Sequence, residues 1–218
     1  MIFQELLNSK QKNVYLLGPQ DFEPLLLESV QAPCVYVDGG TRWKDILLQS
    51  PSGASRIGRG IAIGDGDSSG YSMDLTLPQK KDFSDFAYVL KNLPKSFQFV
   101  HCYGFLGGRR DHEILNLGEA HHFLKLRDRT VLNFDRQVWA FSAGEWAFYL
   151  KGEFSVVTFE ACDWRLEGLC DYQVKEDRKI QPFTSFGLSN SGEGEVRASF
   201  SAPFFIYSHS LRYEEESQ

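Results

Sequence analysis

The sequence predicts an α/β protein, with a mainly parallel sheet and flanking helices in its N-terminal part and an all-β, sandwich-like C-terminal part. Up to about residue 135, short apolar runs alternate with stretches in which apolar residues recur at helical spacing. Beyond that point the apolar runs are short, aromatic and β-branched, and Gly, Ser and Asp separate them. The chain has 218 residues, of which 42% are hydrophobic, so two domains with cores of their own can form. We therefore predict an α/β domain over residues 1–135 and a β-domain over residues 136–218.

In the N-terminal part, strands and helices are predicted in alternation, which favours parallel strands joined by helical crossovers. Apolar runs predict strands over residues 13–18, 34–37, 60–63, 97–103 and 129–134. Apolar residues at helical spacing predict helices over residues 22–30, 42–50, 81–93 and 110–124.

The C-terminal part contains no stretch with a helix-length pattern. Its aromatic and β-branched runs predict strands over residues 137–142, 145–150, 154–160, 179–183, 195–201 and 203–210. A β-sandwich or a barrel-like domain accounts for this pattern.

Composition excludes several classes of function. The 29 acidic against 23 basic side chains give a net charge of −6, which argues against a nucleic-acid binder with a broad basic surface. The N-terminus has no signal-peptide pattern and no run approaches the ~20 apolar residues of a membrane span, so we expect a cytoplasmic protein without membrane contact. The four cysteines form no C-x-x-C pair, and we expect reduced thiols rather than a zinc site.

Aspartates follow the predicted strands or open the predicted helices, at the places where ligands bind in open α/β sheets. These aspartates are Asp38, Asp65, Asp67, Asp82, Asp85 and Asp111. Asp65 and Asp67 point the same way if the chain is extended there, and Asp82 and Asp85 share a face if the helix begins at residue 82. Converging carboxylates repel each other unless a divalent cation such as Mg²⁺ lies among them. Each aspartate taken alone also fits a helix cap or a turn.

A candidate phosphate-binding segment precedes the last predicted helix of the N-terminal part. Gly107 and Gly108 let backbone N–H groups approach a phosphate closely, and the helix N-terminus adds positive potential. Arg109 or Arg110 can bind the same phosphate with a planar set of donors. The phosphate-binding patterns G-x-x-x-x-G-K-[ST] and G-x-G-x-x-G are both absent. Together with the acidic residues, this segment indicates metal-dependent nucleotide chemistry.

Four motifs resemble those of the thiamine pyrophosphokinase family in order and spacing. They are D-G-G at 38–40, G-D-G-D-S at 64–68, K-D-F-S-D at 81–85 and G-G-R-R-D-H-E-I-L-N at 107–116. In the C-terminal part, D-W-R-L at 163–166 and L-S-N-S at 188–191 resemble two further segments of that family.

The resemblance implies an α/β domain followed by a β-domain, a homodimer, and thiamine bound between the α/β domain of one subunit and the β-domain of the other. It also implies transfer of a diphosphate group from ATP to the hydroxyethyl oxygen of thiamine, which yields thiamine diphosphate and AMP. One small sandwich can bury only part of the aromatic side chains of the C-terminal part, and the remainder is expected to form a symmetric dimer interface. These aromatic side chains include Trp139, Phe141, Trp146, Phe148, Tyr149, Phe204 and Phe205. A monomer with a well-filled core is the alternative.

The resemblance also implies roles for individual residues. The implied catalytic residues are Asp65, Asp67, Asp82, Asp85, Arg109 and Asp111, of which Asp65, Asp67, Asp82 and Asp111 are the implied Mg²⁺ ligands. The implied ATP-binding residues are Asp38, Gly39, Gly107, Gly108, Arg109, His112 and Asn116. The implied thiamine-binding residues are Asp85, Trp164, Ser189 and Asn190. The charged neighbours on both sides of Trp164 leave two alternatives, a partly buried edge residue and a platform for the thiazolium ring.

Two other functions fit the same residues. Cys162 and Asp163 depart from the family pattern before Trp164, as does the segment after Asn190, so the acceptor could be another alcohol, such as a hydroxymethylpterin. A nucleotide- or thiamine-binding protein without turnover is the third possibility, although a pure binder has no need of five carboxylates.

Overall fold

The computed structural model describes residues 11–23, 32–49, 60–67 and 70–213. The chain divides into two compact units, one formed by Met1–Phe123 with Leu132–Asp135 and the other by Leu124–Val131 with Arg136–Gln218. The first unit is α/β and the second is built of antiparallel strands, which confirms the predicted fold class.

The first unit is a largely parallel sheet. Its strands are β1 (Asn13–Leu17), β2 (Cys34–Val37), β3 (Gly60–Gly64), β4 (Leu75–Thr76), β5 (Phe99–Tyr103) and β6 (Val131–Phe134). Its helices are α1 (Arg42–Gln49), α2 (Asp85–Asn92) and α3 (Arg110–Leu124). The strand order is β6-β5-β1-β2-β3-β4, with parallel pairing from β5 to β4.

The strand order reverses at β1. Starting from β1, the chain adds β2, β3 and β4 on one side and then returns to add β5 on the other. In open α/β sheets, ligands bind at such a reversal, outside the carboxyl ends of the two strands concerned. The segments that follow β1 and β5 are therefore where a ligand is expected.

The core strands are apolar because both faces of a parallel sheet are covered. All four residues of β2 are buried, as are Ile61, Ala62 and Ile63 of β3. At the end of β2 the backbone itself is closely packed, since a Cβ built on Gly40 would lie 2.0 Å from the Leu17 carbonyl oxygen.

The predicted helix over residues 81–93 is shorter in the structure. It begins at Asp85, because the Ser84 side chain caps it by accepting a hydrogen bond from the Ala87 N–H at 3.1 Å. It ends before Leu93, which is extended and precedes Pro94. Asp82 lies before the helix, so the prediction that Asp82 and Asp85 share a helix face was wrong.

Other predicted elements differ less, or fall partly outside the described residues. Residues 24–30 of the helix predicted over 22–30, Ser50 of the helix over 42–50, and Ser68 of the G-D-G-D-S motif lie outside them. The short strand β4 was not predicted, because Leu75 and Thr76 give too short an apolar run.

The second unit is antiparallel. Its strands are β7 (Val138–Phe141), β8 (Gly144–Thr158), β9 (Cys162–Cys170), β10 (Val174–Ile180), β11 (Asn190–Phe200) and β12 (Phe204–Tyr207). The order is β10-β9-β11-β8-β12-β7. The long strand β8 pairs with β11 over its first part and with β12 over residues 155–158, so it joins two groups of strands. It merges the two strands predicted over residues 145–150 and 154–160.

Most of the aromatic residues expected at a dimer interface are core residues of the second unit. Phe141 stacks on Phe204 with centroids 5.1 Å apart, and Phe204 stacks on Phe200 at 3.9 Å. The buried members of the predicted set are Phe141, Trp146, Phe148, Phe204 and Phe205. Of the other two, Trp139 is half-buried and Tyr149 is exposed. The second unit thus buries five of the seven rings and leaves Trp139 and Tyr149 at least partly at its surface, so a dimer interface at these residues stays a prediction.

None of the helices in the described part of the chain is long and apolar enough to cross a lipid bilayer.

The contact at Gly40 gives a prediction about stability. Gly40→Ala should lower the free energy of unfolding by about 2–3 kcal/mol, because the new methyl group clashes with a backbone oxygen that cannot rotate away. Gly118→Ala is the control, since a Cβ there meets nothing within 4 Å and alanine favours the helix by about 0.5–1 kcal/mol. Urea unfolding of both variants measures the difference. Equal stabilities would contradict the close packing at Gly40.

Candidate active site

Three carboxylates converge at the carboxyl edge of the first unit's sheet. Asp38 follows β2, Asp65 follows β3 and Asp85 is the first residue of α2. One carboxylate oxygen from each lies within 4.8 Å of the other two. Asp38 has a left-handed backbone, with φ of +49°, at the start of the 3-10 turn Asp38–Thr41. The strand ends thus bring together side chains that lie up to 47 residues apart in the sequence.

Lys81 lies between two of these carboxylates. Its Nζ donates to Asp65 Oδ2 at 2.6 Å and lies 3.2 Å from Asp85 Oδ1. The three side chains are only 9–11% exposed, so solvent screens this network weakly. Sequence reasoning did not identify Lys81 as a site residue, although its position four residues before Asp85 in the K-D-F-S-D motif was a usable signal.

The charges of the network shift one another's pKa values. Hydrogen bonding to Lys81 holds the pKa of Asp65 below its usual value. Burial raises the pKa of Asp85, and the interaction with Lys81 only partly offsets this. Burial by itself lowers the pKa of Lys81, but its hydrogen bonds to Asp65 and Asp85 outweigh that effect and raise it. Lys81 is therefore a permanent cation at neutral pH.

The net charge and the unpaired oxygen of this carboxylate cluster suit a further cation. Asp38 Oδ1 is buried and has no hydrogen-bond partner among the described residues, although a buried carboxylate oxygen is costly to leave unpaired. One lysine also leaves the three carboxylates with a net negative charge. Carboxylate oxygens are the ligands that Mg²⁺ prefers, so Asp38, Asp65 and Asp85 fit a magnesium ion.

The structure differs from the sequence prediction in the carboxylates it brings together. Of the four predicted Mg²⁺ ligands, only Asp65 belongs to the three-carboxylate group, and Asp38 and Asp85 complete that group. Asp67 and Asp82 are exposed, and the Asp67 N–H donates to Asp65 Oδ1 at 3.2 Å. Roles for Asp67 and Asp82 at the metal remain predictions.

A glycine loop, residues 104–108, follows β5 and leads into α3. Gly104 has φ of +73°, and a Cβ there would lie 2.5 Å from the Gln20 carbonyl oxygen. Gly107 and Gly108 also have positive φ and are exposed. The loop lies beside the end of β1, since the Gly18 N–H donates to the Tyr103 oxygen at 2.7 Å. The glycine loop therefore lies at the point where the strand order reverses.

Side chains from elsewhere in the first unit fix the shape of the glycine loop. The Gly104 N–H donates to Asp135 Oδ1 at 2.9 Å, and the Asn116 Nδ2 donates to the Phe105 oxygen at 2.9 Å. Asn116 was predicted to bind ATP, and the structure shows it holding the loop. Gly39 is buried and His112 is exposed.

Arg109 and Asp111 form an exposed pair at the start of α3. Arg109 Nε donates to Asp111 Oδ1 at 3.1 Å, and hydrogen bonding to Arg109 holds the pKa of Asp111 below its usual value. Both side chains are more than half exposed, so the pair is weak and easily exchanged. Arg109 can turn to a phosphate at little cost.

Trp164 is a core residue of the second unit. It is 3% exposed, and its ring lies 5.4 Å from Phe200 and 5.8 Å from Phe186 between centroids. It points inward on β9, where Cys162, Trp164 and Leu166 alternate with more exposed polar residues. Both alternatives predicted for Trp164 placed its ring at least partly at the surface, and this placement was wrong, because its charged neighbours lie on the other face of a strand.

The polar pair Ser189-Asn190 is engaged within the second unit. Asn190 is buried, its Oδ1 accepts from the Tyr172 N–H at 3.0 Å, and its Nδ2 donates to the Tyr172 oxygen at 2.9 Å. Ser189 is exposed, and its Oγ donates to Glu153 Oε1 at 3.0 Å. Asn190 thus fixes a turn, whereas Ser189 can exchange its partner.

Solved structures of thiamin pyrophosphokinases share the fold of this chain. The enzyme from Bacillus subtilis matches with a TM-score of 0.67 at 20% identity, over 90% of this chain and 99% of that one. The enzyme from Geobacillus thermodenitrificans matches with a TM-score of 0.66 at 18% identity, over 94% and 99%. The enzyme from Candida albicans matches with a TM-score of 0.65 at 13% identity, over 93% and 90%. No protein-family model and no curated protein matches the sequence.

Removing the Lys81 charge tests the network. Lys81→Met should lower the free energy of unfolding at pH 7 by about 2–4 kcal/mol, because it leaves crowded carboxylates without their cation. Lys44→Met is the control, since Lys44 pairs with Asp74 at 3.5 Å on the surface and should cost less than about 1 kcal/mol.

The pH dependence of the Lys81→Met effect has a defined sign. The lowered pKa of Asp65 stabilises the fold above the unfolded value of about 3.9, and this contribution is lost as pH falls through the folded pKa. The cost of Lys81→Met, followed by urea unfolding from pH 7 to pH 3.5, should therefore shrink on acidification. A cost that is the same at both pH values would contradict the ion network.

Replacing Trp164 tests whether it is a core residue. Trp164→Ala should lower the free energy of unfolding by about 3–5 kcal/mol, because a large buried ring leaves a cavity. Tyr172→Ala is the control, since Tyr172 is 69% exposed. A Trp164→Ala protein as stable as its parent would restore the platform interpretation.

Proposed function

We propose that this chain belongs to the thiamin pyrophosphokinase family and transfers a diphosphate group from ATP to the hydroxyethyl oxygen of thiamine, with release of AMP. The observation that supports this most is the Asp38–Asp65–Asp85 group with Lys81 at the carboxyl edge of a sheet, in a fold that thiamin pyrophosphokinases share. Burying three carboxylates and a lysine together costs free energy, and a binding site for a metal and a nucleotide explains why the fold holds them there.

The metal of this proposal is Mg²⁺, held by Asp38, Asp65 and Asp85, with Asp67, Asp82 and Asp111 as further ligands once substrates are bound. When bound, the ion neutralises negative charge on the phosphates of ATP and on the transferred group. The positive charge of Lys81, fixed by Asp65 and Asp85, adds to the same effect.

The phosphates of ATP bind at the glycine loop in this proposal. The backbone N–H groups of Gly107 and Gly108 and the N-terminus of α3 provide partial positive charge. Arg109 leaves Asp111 and binds a phosphate with two of its donors. His112, on the exposed side of the first turn of α3, and the buried backbone of Gly39 complete the nucleotide site.

In the transfer step the acceptor hydroxyl oxygen forms a bond to the β-phosphorus, and the bond between that phosphorus and the oxygen bridging to the α-phosphate breaks. AMP leaves with that oxygen, and the hydroxyl proton passes to a base. Asp85 is the candidate for the base, because it is the member of the carboxylate group that the family resemblance also places at thiamine. We therefore assign Asp85 to orient the hydroxyl group.

A homodimer with shared sites, in the cytoplasm where ATP is available, completes the proposal. Of the residues of the second unit that are implied to bind thiamine, Ser189 is the one that can still reach a substrate, because it is exposed. Trp164 and Asn190 are occupied inside the second unit. Because these two residues are already engaged in packing and hydrogen bonding, a second candidate function is the same transfer to another alcohol, such as a hydroxymethylpterin.

Product analysis tests the function. The protein incubated with Mg²⁺, ATP and thiamine should release AMP and thiamine diphosphate in equal amounts, as resolved by chromatography, and EDTA should stop the reaction. Asp65→Asn should lower kcat by about 100-fold or more, because it removes charge from the site. Asp163→Asn, at an exposed position of β9, should leave kcat unchanged.

The alternative outcomes separate the other functions. ADP as the stoichiometric product would overturn diphosphate transfer. Turnover of a hydroxymethylpterin but not of thiamine would support the second candidate. Binding of ATP without release of AMP from any alcohol tested would identify a binding protein.

A further inference from the structure

We propose that Asp135 is a positioning residue: its ionised carboxylate holds the glycine loop in the shape that binds a nucleotide phosphate, and its protonation releases the loop. The identity of the phosphate ligand rests on the proposed function, whereas the contact between Asp135 and the loop does not. Asp135 carries no role in the sequence motifs, since it lies at the end of β6, outside all of them.

Asp135 is fixed at the end of its strand. Its backbone N–H donates to the Cys102 oxygen at 3.1 Å, and its φ is +50°. The side chain turns to the loop that follows the neighbouring strand β5. Its Oδ1 accepts from the Gly104 N–H at 2.9 Å, and the Leu106 N–H also hydrogen-bonds the carboxylate. Two amides of the glycine loop thus depend on one side chain.

The other contacts that the described residues make with the glycine loop are neutral. The Gln20 N–H donates to the Gly104 oxygen at 3.0 Å, and the amide of Asn116 donates to the Phe105 oxygen at 2.9 Å. Neither contact changes with pH. Among the described residues, Asp135 is therefore the contact through which a proton can act on the loop.

The surroundings of Asp135 place this change near neutral pH. Burial raises its pKa to about 6, although the hydrogen bonds from Gly104 and Leu106 act in the opposite direction. The titratable side chain that faces it from β5 is the Cys102 thiol, which burial keeps protonated and uncharged. The loop side presents backbone amides. A protonated carboxyl would direct its O–H toward N–H groups that need an acceptor, so one hydrogen bond to the loop is lost.

The carboxylate opposes folding near neutral pH. The folded pKa of Asp135 is above the unfolded value of about 3.9, so ionisation between these two values costs stability. A half-buried acid that destabilises the fold when ionised, and that is directed at the loop leading to Arg109, is better explained by the site than by stability.

Amide NMR tests the contact without any substrate. The ¹⁵N–¹H signals of Gly104 and Leu106 should shift between pH 4.5 and pH 8 with a midpoint near 6. Asp135→Asn should abolish that transition, and asparagine suits the left-handed backbone better than alanine. Asp128→Asn, at an exposed aspartate before β6, should keep it. Signals in the parent protein that do not titrate between pH 5 and pH 7 would overturn the proposal.

ATP kinetics tests the consequence for the site. From pH 7.5 to pH 5 the KM for ATP should rise about tenfold in the parent protein, the factor by which ionised Asp135 falls if its pKa is about 6. In Asp135→Asn the KM should already be raised at pH 7.5, and the tenfold change should be absent. A residue that serves stability alone would lower kcat at every pH and leave the slope intact, which would refute a positioning role.

Failure of the proposed function can be told apart from failure of this inference. If no alcohol is turned over, calorimetric titration with Mg²⁺-ATP replaces the kinetics, and the same tenfold change in affinity is expected. Titrating amide signals with no change in ATP affinity would show a contact without a role in phosphate binding, and would overturn the proposal.

Discussion

The ammonium group of Lys81, between Asp65 and Asp85, is the interaction on which the candidate site depends. Two unit charges 4 Å apart interact by about 4 kcal/mol at an effective dielectric constant of about 20. Three carboxylates within 4.8 Å of one another would therefore separate or take up protons without a cation. Lys81 also connects the segment after β3 to the start of α2. One side chain therefore determines both the charge balance and the backbone geometry of the site.

The parallel sheet supplies the second condition, because it brings distant parts of the chain to one edge. The carboxyl ends of β1 and β5 flank the reversal of strand order, and the glycine loop follows β5. The three-carboxylate group and the loop therefore belong to one unit, and a nucleotide site can form there without help from the second unit. The second unit has its own aromatic core, built around Phe141, Phe200 and Phe204.

The sequence predicted the α/β half well and the site only in part. Strand ends and helix starts located Asp38, Asp65 and Asp85, because apolar periodicity shows where a buried strand stops. It could not show which carboxylates converge, since α2 begins at Asp85 with Ser84 as its cap, which leaves Asp82 in the segment before the helix. Lys81 and Asp135 were missed because lysine and aspartate are exposed by default. Trp164 was predicted at the surface because the charged residues beside it in the sequence suggest an exposed turn, whereas on strand β9 they lie on the opposite face.

Close packing at the strand ends has a consequence for how such a sequence can diverge. A side chain that contacts another side chain can change if its partner changes too, whereas Gly40 and Gly64 approach backbone atoms of Leu17 and Asp38, which every amino acid possesses. No second substitution can relieve a clash with a backbone atom. A larger residue at Gly40 or Gly64 therefore cannot be compensated by a smaller neighbour, as it can at a core position. Chains that share this fold at 13–20% identity are therefore expected to keep these backbone-to-backbone contacts although most of their other residues differ.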